Sequence, residues 1–239
     1  MTEPQVDVYE TRRLFGGDVV CQMPRNFIDV SSQYLKYNKN PFVGRNSQIR
    51  QIPENQECFI ERDGFTSIIF DILERVGKPG SGAEIDGVAL TEHIQDIVGE
   101  EESQNLRLWN TTETKITRLS SSIPAYTCIA TTPQEDSKKG SSSSSSASSG
   151  GKQPANLVFT ALILTLIRLE KTNTDIVITI NVPHIKGEYD EADVDLELGN
   201  RGRLIGNAVE HAAKIWESLR IKNMGLFGKE YEGLDYDEL

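Results

Sequence analysis

Two carboxylates and an aromatic residue lie close together in the segment from Phe65 to Val76 and could bind a basic protein surface. The apolar residues of this segment recur at helical spacing, Asp63 can cap a first turn and Pro79 prevents continuation. The sequence therefore predicts a helix from Asp63 to Gly77. Its predicted buried stripe consists of Phe65, Ile68, Ile69, Ile72, Leu73 and Val76.

On such a helix, Ser67, Phe70, Asp71 and Glu74 would share the outer face. An exposed aromatic beside two acids is typical of a protein-binding hot spot. Phe70 would be the apolar anchor, while Asp71 and Glu74 would select a basic partner. The alternative is that the acids only solvate the helix and a neighbouring loop covers Phe70.

A second acidic segment runs from Gly187 to Gly199 and contains no basic residue. A calcium-binding loop starting at Asp193 would need Gly at its sixth position and Glu at its twelfth, where Leu198 and Leu204 stand. Two interpretations stay open, a solvated loop and long-range attraction of a basic partner. The carboxylates concerned are Glu188, Asp190, Glu191, Asp193, Asp195 and Glu197.

Enzyme signatures are weak. The histidines His93, His184 and His211 lack the local spacing of metal ligands, and the sequence has no P-loop or nucleophile elbow. The segment Gly80-Ser81-Gly82 is a partial glycine fingerprint, but it follows a predicted helix and lacks the third Gly. For His93 we expect a structural hydrogen bond to Asp96. The sequence thus predicts a non-enzymatic protein with no cofactor and no metal ion.

Composition narrows the class of partner. The chain has 239 residues and a net charge of -11, which disfavours a nucleic-acid ligand because a phosphate backbone requires clustered Lys and Arg, which the sequence lacks. The three cysteines, Cys21, Cys58 and Cys128, are far apart and are expected to be reduced thiols. The N-terminus has no apolar targeting region, and no apolar run is long enough for a membrane span. We expect a monomer of the nucleus and cytoplasm.

The element predicted most strongly is a β-hairpin from Leu157 to Pro183. Two apolar, β-branched arms flank a polar turn from Glu170 to Thr174. The first arm is continuously apolar from Leu157 to Leu169, so both of its faces should be covered by helices at the centre of a sheet. Further strands are predicted at residues 19–24, 27–31, 57–60 and 125–130, and further helices at 88–98 and 201–219. The last helix should bury Leu204, Ile205, Ala208, Ala212, Ile215, Trp216 and Leu219.

These elements predict one domain over residues 14–228, preceded by a flexible N-terminus over 1–13 and followed by an acidic tail over 229–239. Residues 36–48 are predicted to form an inserted loop. Residues 134–153 contain six consecutive serines, Ser141 to Ser146, and predict a disordered insert because they cannot bury enough apolar surface.

Five segments in sequence order, together with the hairpin, resemble the Mog-type Ran guanine nucleotide release factors. Three positions depart from the family pattern, with Glu54 in place of Asp, Cys58 in place of Val and Gln95 in place of Glu. The matching residues are Leu14-Phe15-Gly16-Gly17, Pro24 with Phe27-Ile28-Asp29, Arg50 to Phe59, Ser67 to Glu74, His93-Ile94-Gln95-Asp96 and, in the hairpin, Arg168-Leu169, Thr174-Asp175 and Asn181-Val182-Pro183.

The resemblance implies an α+β fold, an α/β/α sandwich with a central, mostly antiparallel sheet of about six strands shared with PsbP-like proteins. It implies binding to the small GTPase Ran, promotion of nucleotide release and support of nuclear import. Asp71 and Glu74 match the acidic positions that the family uses against Ran. The alternative is a PsbP-like small-ligand or assembly domain without GTPase activity, and an unrecognised hydrolase is a third interpretation.

Overall fold

The computed structural model describes residues 9–31, 53–99, 103–133 and 156–228. The predicted loop at 36–48, the serine-rich insert at 134–153 and the acidic tail at 229–239 lie outside the described residues. No helix in the described ranges is long and apolar enough to cross a membrane.

The described chain forms twelve strands and two α-helices, with four short 3₁₀ turns between them. The helices are α1 (Ala83–Val98) and α2 (Gly202–Ser218). The strands are β1 (Tyr9–Leu14), β2 (Val19–Pro24), β3 (Phe27–Asp29), β4 (Gln56–Glu61), β5 (Ser67–Glu74), β6 (Arg107–Glu113), β7 (Ala125–Pro133), β8 (Leu157–Leu169), β9 (Thr174–Ile185), β10 (Val194–Asp195), β11 (Asn200–Arg201) and β12 (Arg220–Ile221).

The predicted hairpin is confirmed as β8 and β9, which lie in the middle of the largest sheet. Leu169 pairs with Thr174, and the connecting 3₁₀ turn ends at Asn173 in the left-handed conformation that Asn tolerates. The seven strands of this sheet follow the order β3-β4-β5-β9-β8-β7-β6, and every neighbouring pair is antiparallel. The sheet therefore has one strand more than the six expected.

The two α-helices cover opposite faces of the large sheet. On one face, Ala89, Leu90 and Ile94 of α1 pack in a cluster with Leu164 and Val177. On the other face, α2 packs in a larger cluster with the residues of β8 and β9 that alternate along each strand with Leu164 and Val177. The small sheet β1-β2-β12 closes this second side, where α2 contacts β2 as well as β8 and β9. The predicted α/β/α arrangement is confirmed.

Both helices that flank the sheet were predicted. The first starts a turn earlier than expected, at Ala83, because Glu84 and Asp86 favour the positive end of the helix. The second buries Ile205, Ala208 and Ile215 as predicted.

The predicted helix from Asp63 to Gly77 is wrong, because Ser67 to Glu74 form strand β5. The strand pairs along its whole length with β9 on one side, and from Ser67 to Asp71 with β4 on the other. The apolar residues of this segment fit the period of a helix and also fit a strand that is buried on both faces. Pairing with distant strands decides in favour of the strand.

The prediction of a flexible segment over residues 1–13 is wrong for Tyr9 to Arg13, which form most of β1. Every residue of β1 pairs with β2, and the Leu14 side chain is fully buried. Four of its six residues, Glu10 to Arg13, are polar, so its composition does not predict a strand. The same reason explains why the exposed edge strand β6 was not predicted.

Candidate functional site

Strand β5 positions all four residues that the sequence singled out, but it distributes them over two faces. Ser67 and Asp71 point to the face that carries α1, whereas Phe70 and Glu74 point to the face that carries α2, because side chains alternate along a strand. Asp71 and Glu74 are three residues apart, which separates their backbones by about 10 Å. They do not form one continuous acidic face.

Phe70 belongs to the hydrophobic core. Its side chain is 1% exposed and contacts Phe59 edge to face, with ring centroids 6.1 Å apart. The prediction that Phe70 lies on an exposed face is therefore wrong, because its side chain packs in the core cluster on the face that carries α2. In this conformation Phe70 cannot be an anchor for a partner.

Asp71 is a nearly buried carboxylate on the face of the sheet that carries α1. Gln56 Nε2 donates a hydrogen bond to Asp71 Oδ1 at 2.6 Å, and the residue is 9% exposed. Burial raises the pKa of Asp71, while the Gln56 hydrogen bond and the nearby His93 oppose the rise. Such a carboxylate has lost much of its hydration, so an approaching cationic donor would stabilise its charged form.

Glu74 ends β5 and is exposed to solvent. Asn173 Nδ2 donates to Glu74 Oε1 at 3.3 Å, and Glu74 pairs with Thr174 of β9. Glu74 therefore lies beside the tight turn of the central hairpin. Ser67, at the other end of the strand, accepts a hydrogen bond from Asn181 Nδ2 at 3.1 Å.

A buried ionic cluster holds the end of β5 against α1, and the sequence did not predict it. Arg168 Nη1 donates to Asp86 Oδ1 at 2.8 Å, and Arg168 Nε donates to Asp175 Oδ1 at 3.1 Å. All three side chains are fully buried. His93 Nε2 lies 2.9 Å from Asp175 Oδ2, so the partner of His93 is Asp175 and not Asp96 as expected.

The sequence of the hairpin contains evidence for two members of this cluster, Arg168 and Asp175. Arg168 interrupts an otherwise apolar arm, and Asp175 stands at the mirror position across the turn, where the register pairs the two residues directly. A lone charge in a strand buried on both faces requires a partner of opposite charge. That argument predicts the Arg168–Asp175 pair, but it cannot locate Asp86 or His93 on a distant helix.

The cluster also fixes the segment that follows Glu74. Val76 N donates to Asp175 Oδ2 at 3.2 Å, and the Val76 carbonyl accepts a hydrogen bond from Arg168 Nη2. Further along, Gly80 N donates to Glu170 Oε1 at 2.8 Å. Because buried charges and the hairpin turn hold this segment, Asp71 and Glu74 stand on a preorganised support.

His184 is a core residue, and the described residues form no candidate metal site. His184 is fully buried, its Nδ1 lies 2.9 Å from the Val182 carbonyl oxygen, and its ring stacks on Phe159 at 4.0 Å. Burial lowers the pKa of His184, with the Val182 carbonyl opposing the shift. The described residues contain no group of three or more His, Cys, Asp or Glu side chains that could hold a metal ion.

Comparison with known proteins gives consistent results. The family model described as Ran-interacting Mog1 protein matches residues 43–183. A curated Dictyostelium discoideum protein named probable ran guanine nucleotide release factor is 24% identical over 180 residues, which span 73% of this chain and 74% of that protein. The nuclear import protein mog1 of Schizosaccharomyces pombe is 24% identical over 174 residues, spanning 72% and 75% of the two chains.

The crystal structure of the Saccharomyces cerevisiae Ran-binding protein Mog1p superposes with a TM-score of 0.60 at 18% identity. The superposition covers 93% of this chain and 100% of that chain, so the two share their fold. The family model extends from before β4 to near the end of β9 and includes the whole of β5 and its ionic support. On this evidence the chain belongs to the Mog1 family.

Proposed function

We propose that this protein binds a Ran-type small GTPase, promotes release of its guanine nucleotide and thereby supports nuclear import. The observation that carries the proposal is the match of the Mog1 family model to 141 residues, from 43 to 183, which include the acidic strand β5. The names of the two curated relatives, a release factor and a nuclear import protein, support the same activity. The protein would regulate a GTPase without being a classical enzyme.

Asp71 and Glu74 are the proposed contacts for basic groups of the GTPase. Asp71 is nearly buried and supported by Gln56, whereas Glu74 is exposed, so the two acids should contribute in different ways. A direct contact to Asp71 would be shielded from solvent and therefore weakly screened. Glu74 would act mainly by attracting a basic surface during association. Phe70 has no place in this contact because it lies in the core.

Nucleotide release follows if the protein binds the nucleotide-free GTPase better than the loaded form. A GTPase holds its nucleotide through backbone amides, a Lys and Mg²⁺. By linkage, a partner that favours the empty form weakens nucleotide binding by the same factor, about tenfold for each 1.4 kcal/mol of differential affinity. A partner that binds both forms equally shifts nothing.

The test is to measure dissociation of a fluorescent guanine nucleotide from a purified Ran-type GTPase with increasing amounts of this protein. We expect faster release up to saturation. We also expect excess free GTP to displace the protein from the GTPase, because the coupling must be reciprocal. An unchanged release rate at saturation, together with undiminished binding in excess GTP, would show that the protein is not a release factor.

A further inference from the structure

Among the described residues, α1 covers only part of one face of the large sheet. Helix α1 packs over β7, β8 and β9, where Leu162, Leu164 and Val177 are buried. Beyond β9, the same face continues onto β5, β4 and β3. There Ile28 is 37% exposed and Ile60 is 41% exposed, so two large apolar side chains of neighbouring strands meet solvent.

The strand register places these residues on one surface together with Asp71. Ile28 pairs with Ile60, and Ile60 pairs with Ser67. Directly paired residues of antiparallel strands share a face, and residues two apart along a strand return to it. We name this surface the open sheet face, and its members are Ile28, Cys58, Ile60, Ser67, Ile69 and Asp71.

We propose that the open sheet face is the surface that docks the GTPase, with Ile28 and Ile60 as its apolar centre and Asp71 as the charged contact at its border. The inference rests on the proposed function and extends it, because it adds an apolar contact that the acidic residues alone do not provide. An apolar centre with a polar border is the usual anatomy of a protein interface.

Charge favours a basic partner over a second copy of this chain. The protein carries a net charge of -11, and a symmetric dimer through this face would bring the Asp71 carboxylates and two acidic chains together. A partner with basic groups around an apolar patch would instead pair with Asp71 and cover Ile28 and Ile60. The open sheet face therefore fits a partner of opposite charge.

Strand addition at the β3 edge, which borders the open sheet face, is disfavoured. A peptide that extends the sheet would need the outward backbone groups of β3. Arg12 Nη2 already donates to the carbonyl oxygen of Phe27 at 2.8 Å, and β3 is only three residues long. Short, blocked edge strands disfavour strand addition, so a partner should pack on the side chains of the face.

The experiment replaces Ile28 and Ile60 together by Thr and measures binding to a purified Ran-type GTPase by calorimetry. Thr keeps the β-branched shape that suits a strand and removes only apolar contact. We expect affinity to fall about tenfold or more, as for truncated hot-spot residues. This loss should be as large at 300 mM salt as at about 50 mM, because apolar contact is not screened. Leu198→Thr is the matched control, since Leu198 is 77% exposed but lies in the acidic segment away from this face.

Ser67→Lys provides a second test that removes no apolar residue. It places bulk and a positive charge on the same face, so a basic partner should be repelled. Wild-type affinity in both the double Thr variant and Ser67→Lys would overturn the proposed docking surface while leaving the proposed function intact. A wild-type dimer that the Thr substitutions dissociate, with GTPase affinity unchanged, would identify the face as a self-association surface. If the wild-type protein binds no Ran-type GTPase, both proposals fail.

Discussion

Arg168 and Asp175 face each other directly across the central hairpin, with Nε and Oδ1 3.1 Å apart and both side chains fully buried. Arg168 also reaches Asp86 on α1, so one guanidinium compensates two buried carboxylates. The sheet and the helix are thereby joined at the end of β5, where the proposed binding residues lie. Buried ion pairs of this kind fix geometry more than they add stability, because desolvation offsets much of the attraction.

Loss of Arg168 should destabilise the protein strongly. Arg168→Met keeps much of the side-chain volume but leaves Asp86 and Asp175 buried without a cation, so we expect a loss of about 3–5 kcal/mol in the free energy of unfolding. Urea denaturation followed by circular dichroism measures it. The control is Arg62→Met at an exposed turn position, expected to change stability by less than about 0.5 kcal/mol. Equal effects of the two substitutions would contradict the role of the buried cluster.

Phe70→Ala should act on stability rather than on binding. Phe70 is 1% exposed against Phe59, so its removal leaves a cavity that should cost about 3–5 kcal/mol. Phe65→Ala removes the same side chain from a position that is 51% exposed and should cost far less. Binding is then measured at a temperature where circular dichroism shows the variant folded. A large affinity loss without any loss of stability would mean that Phe70 contacts the partner after all.

The sequence predicted the centre of the fold because the evidence for it is local. The two apolar arms of the hairpin are separated only by a polar turn, so pairing of β8 and β9 needs no distant information. Strand β5 was assigned wrongly because Ile68, Ile69 and Ile72 satisfy either period. Only the pairing of β5 with β4 and β9 decides between helix and strand. Strand β9 lies about a hundred residues further along the chain; Val76, just after β5, and Asp175 in β9 are 99 residues apart.

The structure changes the geometry that the sequence predicts for the candidate residues. The sequence predicts that Asp71 and Glu74 share the outer face of a helix, but strand β5 directs them to opposite faces of the sheet. Arg168 and Asp86 are separated by 82 residues, and no local pattern connects them. Tertiary packing, which single-sequence periodicity does not contain, therefore determined both the exposure of the acids and the burial of Phe70.

Asp71→Asn should change the pH dependence of stability in a defined direction. Burial raises the pKa of Asp71 above its ordinary value, with Gln56 and His93 opposing the rise, so the folded state binds this proton more readily than the unfolded state. The wild-type protein therefore loses stability as pH rises from the ordinary Asp value of about 3.9 through the raised pKa. Asn does not titrate, so the stability of the variant relative to wild type should increase over this range.

Asp86→Asn is the control for this experiment, because the pKa of Asp86 is shifted in the opposite direction to that of Asp71. Burial acts to raise the pKa of Asp86, but hydrogen bonds from Ser81, Gly82 and Arg168 outweigh it and lower the pKa. The stability that Asp86 contributes is present above the ordinary Asp pKa and is lost as pH falls through the lowered value. Asp86→Asn should therefore lose stability relative to wild type as pH rises. Parallel curves for the two variants in urea titrations between pH 3 and 7 would contradict the opposite shifts.

Glu74→Lys and Asp71→Asn should weaken GTPase binding in kinetically different ways. Glu74 is exposed at the end of β5, so reversing its charge should slow association several-fold at about 50 mM salt and have little effect at 300 mM. Asp71 is 9% exposed, and neutralising it should mainly speed dissociation, at both salt concentrations. Surface plasmon resonance separates the two rates. Glu210→Lys on the exposed side of α2 makes the same charge change elsewhere. If it slows association as much as Glu74→Lys does, overall net charge and not the position of Glu74 attracts the partner.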